Sequence, residues 1–295
     1  MRVVLTGASG LIGVALRDSL RADGHQVITL VRHATSAPDE DSWEPPRGLL
    51  DPDVLDGVNA VICLSGAGVG DHRWTDSYKK QIIASRVDSV GTVARAMADS
   101  GRPRTLISAS AVGYYGDTGD RTVAEDAQAG DNFLSGVCTQ WEAAAQPARE
   151  AGIRVTHLRT GLVLSGHGGL LKRLKPITQA GIAGRLGSGR QFMPWISLAD
   201  EVAAIRFLLD HEVAGPVNLA GPNPARNAEF MATLGRVLHR PTILPTPGFA
   251  LRIVLGEFAE DVLGGQRAVP AKLTEAGFSF RHTELETALR WALDR

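Results

Sequence analysis

Cysteine is nearly missing from this chain: 295 residues contain only Cys63 and Cys138. Their separation excludes a CxxC redox or zinc pair. Cys63 lies inside an apolar run and reads as a small core residue. So little cysteine fits a reducing, cytoplasmic setting. Long apolar runs are missing too, and none reaches the ~18–20 residues of a membrane span. A strand-like run follows Met1-Arg2 at once, which argues against a secretion signal. Neither sign of charge dominates, with 31 Lys and Arg against 32 Asp and Glu. No global field draws nucleic acid or an anionic membrane, and both are set aside as partners. The eight histidines are scattered, and no pair has the i, i+2 or i, i+4 spacing of a metal site, so no metal is expected.

What is present is a 44% apolar sequence, long enough for one large α/β domain or a large domain with a smaller one attached. Short β-branched runs alternate with longer periodic segments. Strands are expected at residues 3–6, 26–31, 58–64, 104–109 and 154–158, and helices at 12–22, 75–99 and 132–151. The alternation argues for a parallel sheet with right-handed crossovers, and the unbroken apolar runs for strands covered on both faces. After about residue 165 the pattern changes. A glycine-rich, basic stretch runs through 181–190, an apolar helix follows Asp200 as its expected N-cap, 215–219 reads as one more strand, and helical periodicity dominates from 226. The expected architecture is a Rossmann-type, doubly wound parallel sheet (residues 1–165 and 198–220) with a smaller, mostly helical lobe (166–197 and 221–295). A monomer or homodimer is expected.

Gly7-Ala8-Ser9-Gly10-Leu11-Ile12-Gly13 follows the first strand and opens the first helix. A glycine run alone is weak; in a βαβ unit it is the fingerprint of a dinucleotide site. The first glycine permits the tight turn, the second admits the pyrophosphate against the backbone, and the third lets helix pack on strand. The helix N-terminus supplies free N–H groups and partial positive charge. At the end of the second strand, where an NAD site usually carries an acid, stands Val31-Arg32-His33. Arg32 would pair with a 2′-phosphate, which favours NADP(H) over NAD(H). The acids Asp39, Glu40 and Asp41 are expected further on, in a loop.

With Leu64-Ser65-Gly66-Ala67-Gly68, Arg73-Trp74-Thr75, Ser85-Arg86-Val87, the run Ser108 to Gly116, Leu158-Arg159-Thr160-Gly161, Gly187 to Trp195 and Pro270 to Phe280 added, the whole chain resembles the atypical extended short-chain dehydrogenase/reductases. More narrowly, it resembles the sugar-nucleotide epimerase-like subgroup with a C-terminal domain of unknown function. The resemblance implies cofactor contacts at Leu64, Ser65, Gly66 and Ala67, at Arg86, at Ser108 and Ala109, and at Arg159, Thr160, Gly161 and Leu162. It also implies a catalytic serine, best matched by Ser110. These positions are C-terminal ends of parallel strands, where open α/β sheets bind ligands.

One departure from the superfamily bears on the chemistry. Its YxxxK pair opens the helix over residues 132–151; aligned on Glu142, the two positions become Leu134 and Cys138. Leucine has no proton to give, and a thiol carries no fixed positive charge. Tyr114 or Tyr115 is the replacement proton donor to consider, with Ser110 as oxyanion donor; Cys138 reads as part of a packed helix face. Arg185 and Arg190 are expected to hold a substrate phosphate or carboxylate, and Trp195 to wall the pocket. Asp117, Asp120, Glu125 and Asp126 are expected as solvated loop charges. Two functions stay open: NADP(H)-dependent oxidoreductase or epimerase-like chemistry on a small carbonyl or sugar-like substrate, and a non-catalytic NADPH-binding sensor or scaffold.

Overall fold

The computed structural model describes residues 1–294. In chain order the strands are β1 Arg2–Thr6, β2 Gln26–Val31, β3 Glu40–Glu44, β4 Leu49–Leu50, β5 Ala60–Cys63, β6 Thr105–Ala111, β7 Thr122–Val123, β8 Arg154–Thr160, β9 Leu162–Leu164, β10 Phe192–Met193, β11 Trp195–Ser197, β12 Gly215–Leu219, β13 Ala225–Arg226 and β14 Arg267–Ala268. The helices are α1 Leu11–Ala22, α2 Asp76–Ser100, α3 Phe133–Ala143, α4 Gln146–Glu150, α5 Gly169–Gln179, α6 Leu198–Asp210, α7 Asn227–Leu238, α8 Gly248–Leu255, α9 Phe258–Leu263, α10 Ala271–Glu275 and α11 Leu285–Leu293.

Eight strands form the main sheet in the order β12-β8-β6-β5-β1-β2-β3-β4, and all neighbours are parallel except β3 and β4. The chain leaves β1 toward β2 on one side and returns to β5 on the other, so a crevice opens at the carboxyl ends of β1 and β5. One face carries α1 and α6 over Val3, Leu5, Ile62, Ile107 and Leu158. The other carries α2 and α4 over Val4, Val61, Leu106 and Val155. Burial on both faces is the physical reason these strands read as unbroken apolar runs. A third core joins Leu171 of α5, Trp195, Phe230 and Leu234 of α7, and Leu289 of α11.

Four local expectations are corrected. Glu40 to Glu44 is a strand, held parallel to β2 from Thr29 to Val31, so Glu40 and Asp41 do not lie in a loop. The helix over 132–151 is two, α3 and α4, interrupted at Ala144 and Ala145. Asp200 is not the N-cap of α6: Ser197 is, and Asp200 N–H donates to its hydroxyl while Ser197 Oγ donates back to the Asp200 carboxylate. Ser197 thus caps α6, and the Asp200 carboxylate holds the capping hydroxyl in place. The same carboxylate accepts from the backbone N–H groups of Arg281 and His282 and so fastens the C-terminal segment to α6. Glu125, expected in solvent, is buried and accepts from the N–H groups of Asn218 and Lys272.

Candidate functional site

The glycine turn sits at the crevice. Gly7 has φ +72°, and a Cβ there would lie 2.7 Å from the Leu64 carbonyl carbon at the end of β5. A Cβ on Gly13 would come within 2.1 Å of Gly7 O, so helix and turn meet backbone to backbone. Gly10 N–H bonds to Gly7 O, and no side chain caps α1 at Gly10. Ser9 and Gly10 are exposed, and Leu11 and Ile12 half-buried. The first N–H groups of α1 therefore meet open space, a concave donor set fitted to phosphate oxygens.

Arg32 follows β2 and is exposed. With His33, Ser42, Trp43 and Glu44 it lines a cavity of about 570 Å³. The neighbouring acids are already engaged: Asp39 by Arg21, Glu40 by the Thr35 hydroxyl, Asp41 by the Ser42 N–H. Among the described residues no carboxylate pairs with Arg32.

The centre of the site is a buried polar network that joins β6, α3, β8 and β12. Ser110 Oγ donates to Glu142 Oε1 at 2.7 Å. Arg159 closes on the same carboxylate with Nε to Oε1 at 2.8 Å and NH2 to Oε2 at 3.0 Å. Burial opposes ionisation of Glu142, but the Arg159 hydrogen bonds and charge outweigh it and hold the carboxyl below its ordinary value. Arg159 NH1 also donates to the Tyr115 hydroxyl, which donates in turn to Asn218 Oδ1 at 2.7 Å. Burial drives the Tyr115 phenol up to about 12 despite the cation beside it. Ser110, Tyr115 and the Arg159 side chain are thus occupied. Tyr114 differs: its ring lies 3.4 Å from the Arg159 guanidinium carbon, it is half-buried, and its hydroxyl has no partner among the described residues.

At or beyond the carboxyl ends of β5, β6 and β8, Gly66 is exposed and Ala111, Thr160, Gly161 and Leu162 are half-buried, as is Leu134 in the first turn of α3. Ser65 Oγ donates to Thr6, and Ala67 N–H to Ser85 Oγ, which fixes the strand-end backbone. Ser108 is fully buried beneath it, with its hydroxyl turned to the Ala109 carbonyl. Leu134 stands against Gly113. Cys138 is buried, in keeping with a packed helix face, and burial raises its thiol to about 11. Arg86 is 8% exposed, with its guanidinium 4.9 Å over the Trp141 ring. Of the substrate-side residues, Trp195 is corrected: it is fully buried in the third core and walls no pocket. Arg185 is exposed and its NH1 donates to the carbonyls of Gly187 and Ser188 in its own loop; Arg190 is exposed beside it.

Sequence reasoning missed Asn218 and Glu201. Asn218 shows only as one polar residue in a strand, and its partner Tyr115 stands 103 positions away. Glu201 is fully buried, accepts from Thr160 Oγ1 at 2.9 Å on one oxygen, and leaves the other unpartnered. Glu142 was visible only as an alignment mark. Among the described residues no group of three or more His, Cys, Asp or Glu side chains could hold a metal ion, and no helix is long and apolar enough to cross a membrane.

Residues 3–220 match the NAD dependent epimerase/dehydratase family, and residues 246–292 match a domain of unknown function, DUF1731. An epimerase family protein of Mycobacterium bovis is 46% identical over 99% of this chain and 98% of its own length. A chloroplastic homolog of epimerase family protein SDR39U1 from Arabidopsis thaliana is 36% identical over 98% of this chain and 86% of its own. Among solved structures, human epimerase family protein SDR39U1 with NADPH is 30% identical and superposes with a TM-score of 0.91 over 100% of this chain and 99% of that one.

Proposed function

The chain belongs to the NAD dependent epimerase/dehydratase family, as an atypical extended short-chain dehydrogenase/reductase with a C-terminal domain of unknown function, and from that membership we propose that it is an NADP(H)-dependent oxidoreductase acting on a small carbonyl or sugar-like substrate. The observation that carries the reading is the glycine turn, whose approach to Leu64 and whose contact with α1 leave no room for a Cβ at Gly7 or Gly13. A relative of the same fold along its whole length is solved with NADPH. Gly7, Ser9, Gly10, Leu11, Ile12 and Gly13 hold the pyrophosphate, and Arg32, free of any carboxylate, meets the 2′-phosphate. The bound cofactor supplies the hydride. The protein orients it along Leu64 to Ala67 and Thr160 to Leu162. With the Ser110 and Tyr115 hydroxyls committed inside the fold, the proton donor is Tyr114. Arg185 and Arg190 stand at the rim as substrate contacts.

The test is binding first, turnover second. NADPH is expected to bind more tightly than NADH by fluorescence titration. Arg32→Asp is expected to weaken NADPH by ~10–100-fold, the equivalent of losing a charge-assisted contact of about 1.5–3 kcal/mol, and to leave NADH nearly unchanged. An Arg32→Asp variant that keeps its NADPH preference refutes the role of Arg32. A carbonyl panel followed at the NADPH absorbance band then identifies the substrate. A second reading, an NADPH-bound sensor or scaffold, is favoured by one specific feature: Leu134 and Cys138 stand where the superfamily's tyrosine and lysine do. Stoichiometric NADPH oxidation by any one compound removes it.

A further inference from the structure

Among the described residues, seven of the ten large apolar side chains that are exposed lie in one part of the helical lobe. They are Ile177 and Ile182 at the end of α5, Ile243 and Leu244 after α7, and Phe249, Ile253 and Val254 of α8. The fold sets these three groups side by side. Ile182 N–H bonds back to the Ile177 carbonyl. Segments 181–187 and 241–246 then run together as a ribbon. A Cβ on Gly184 would meet the Leu244 backbone at 2.1 Å, Thr246 N–H donates to Arg185 O, and Gly187 N–H donates to Thr246 O. A Cβ on Gly187 or on Gly248 would touch Leu263, so α8 starts beside the same ribbon. None of the eight residues of α8 is buried, and Phe249, Ile253 and Val254 are 67%, 68% and 71% exposed. A surface helix ordinarily lays its apolar stripe on a core. An apolar face left in solvent marks an interaction surface.

The charge beside this face selects the partner. Residues 151–199 and 230–256 contain no Asp or Glu. Arg173 and Arg252 are met from outside those segments, by Asp71 and Glu260. Lys172, Lys175, Arg185 and Arg240 meet no carboxylate among the described residues. Arg240 donates to the Gln179 carbonyl, which holds it next to Ile177 and Ile182. The acids that follow α8, Glu257 and Glu260, are paired with Lys79 and Arg252. A second copy placed on this face by a two-fold axis would set these cations against their own images, which like-charge repulsion opposes. An anionic bilayer offers the opposite charge and, beneath it, apolar depth for protruding side chains, with no demand on shape. The near-neutral charge of the whole chain conceals such a face, because the acids that balance it lie elsewhere.

We propose that the end of α5, the ribbon and α8 form a peripheral docking surface for an anionic lipid bilayer. Phe249, Ile253 and Val254 enter the interface, and Lys172, Lys175 and Arg240 meet the headgroups. The face shares no residue with the glycine turn, so docking does not require NADPH.

The experiment sediments the full-length protein with sucrose-loaded vesicles of phosphatidylcholine alone or of phosphatidylcholine with phosphatidylglycerol. Partitioning at least ten-fold tighter onto the anionic vesicles is expected, and it weakens as salt rises. Phe249→Ser combined with Ile253→Ser is expected to lose at least ten-fold of that binding, and Lys172→Gln combined with Lys175→Gln several-fold. Both variants are expected to keep the wild-type NADPH titration. Equal partitioning onto the two kinds of vesicle, none onto either, or unchanged binding by the serine variant overturns the proposal. So does a wild type that self-associates in the analytical ultracentrifuge, a serine variant that does not, and no vesicle binding by either, which gives the face to a second copy. Should the serine variant fail to fold, Phe249→Trp decides. Its added emission is expected to shift to the blue on anionic vesicles and to stay in place on phosphatidylcholine, and no shift overturns the proposal.

Discussion

Tyr114 and Tyr115 are neighbours with opposite environments, and the difference decides which can move a proton. Tyr115 is 2% exposed, its hydroxyl donates to Asn218 and accepts from Arg159, and its phenol lies at about 12. Tyr115→Phe leaves a buried amide oxygen and a buried guanidinium N–H without their partner, which costs roughly 1–3 kcal/mol. It is expected to lower Tm with little effect on turnover of the remaining folded enzyme, whereas Tyr114→Phe is expected to leave Tm within a degree or two and to cut kcat at least ten-fold. A Tyr114→Phe enzyme with full kcat would end its assignment as donor. Glu201 gives a second residue-scale expectation, one of pH. Burial raises its carboxyl to about 8, with the Thr160 hydrogen bond opposing. The folded protein therefore holds a proton there that the unfolded chain gives up near 4.5, so this site costs stability as pH rises from about 4.5 to about 8, and the cost then levels off. Glu201→Gln keeps an acceptor for Thr160 without the charge. Its Tm is expected to match the wild type near pH 4.5 and to exceed it by several degrees at pH 8. A pH-independent difference would mean that the carboxyl does not titrate across this range.

At the scale of elements, β1, the turn and α1 form one unit whose geometry is set by Gly13. Substitution to alanine drives a methyl into the Gly7 carbonyl at 2.1 Å, and nothing but backbone is there to move. Gly13→Ala is expected to abolish measurable NADPH binding while Gly24→Ala, at a turn with nothing within 4 Å of the added Cβ, leaves binding intact and costs only the strain of φ +78°. The comparison is read by titration, and equal binding by the two variants would refute a backbone-contact role for Gly13. This unit was legible in the sequence because its signals are local: apolar run, glycines at fixed spacing, amphipathic helix. β3 was not legible. Glu-Asp-Ser-Trp-Glu carries the acids and serine of a loop, and only Trp43 of its five residues is buried, so its strand form comes from pairing with β2 rather than from propensity. The break between α3 and α4 was hidden for the opposite reason, since Ala143 to Gln146 favours helix locally. The central network was hidden as well. Glu142, Arg159, Tyr115 and Asn218 meet only when four elements are assembled, and no spacing in the chain announces it.

At the scale of the whole molecule, the C-terminal segment decides whether two lobes are two folding units. It does not stay with the helical lobe. β14 pairs in parallel with β7. α10 follows, where Leu273 enters the core under α1 and α6 and Lys272 N–H binds the buried Glu125. Phe278 and Phe280 pack on that same core, Asp200 holds the backbone of Arg281 and His282, and α11 then closes the third core with Leu285 and Leu289. The stretch from β14 to α11 therefore contributes to both the first and the third core, and neither core can unfold without exposing apolar surface in the other. A single calorimetric transition is expected, with equal calorimetric and van't Hoff enthalpies. NADPH at about 100 times its Kd is expected to move that whole transition upward, corresponding to about 2.7 kcal/mol of added stability. Two transitions, of which only the lower or only the upper responds to NADPH, would show that the helical lobe folds alone and that the C-terminal stretch is a tether rather than a shared wall. Asp200→Ala provides the internal check. It removes the carboxylate that holds the Ser197 capping hydroxyl and the anchor of residues 281 and 282 together, so in a shared-core molecule it lowers the one transition without splitting it.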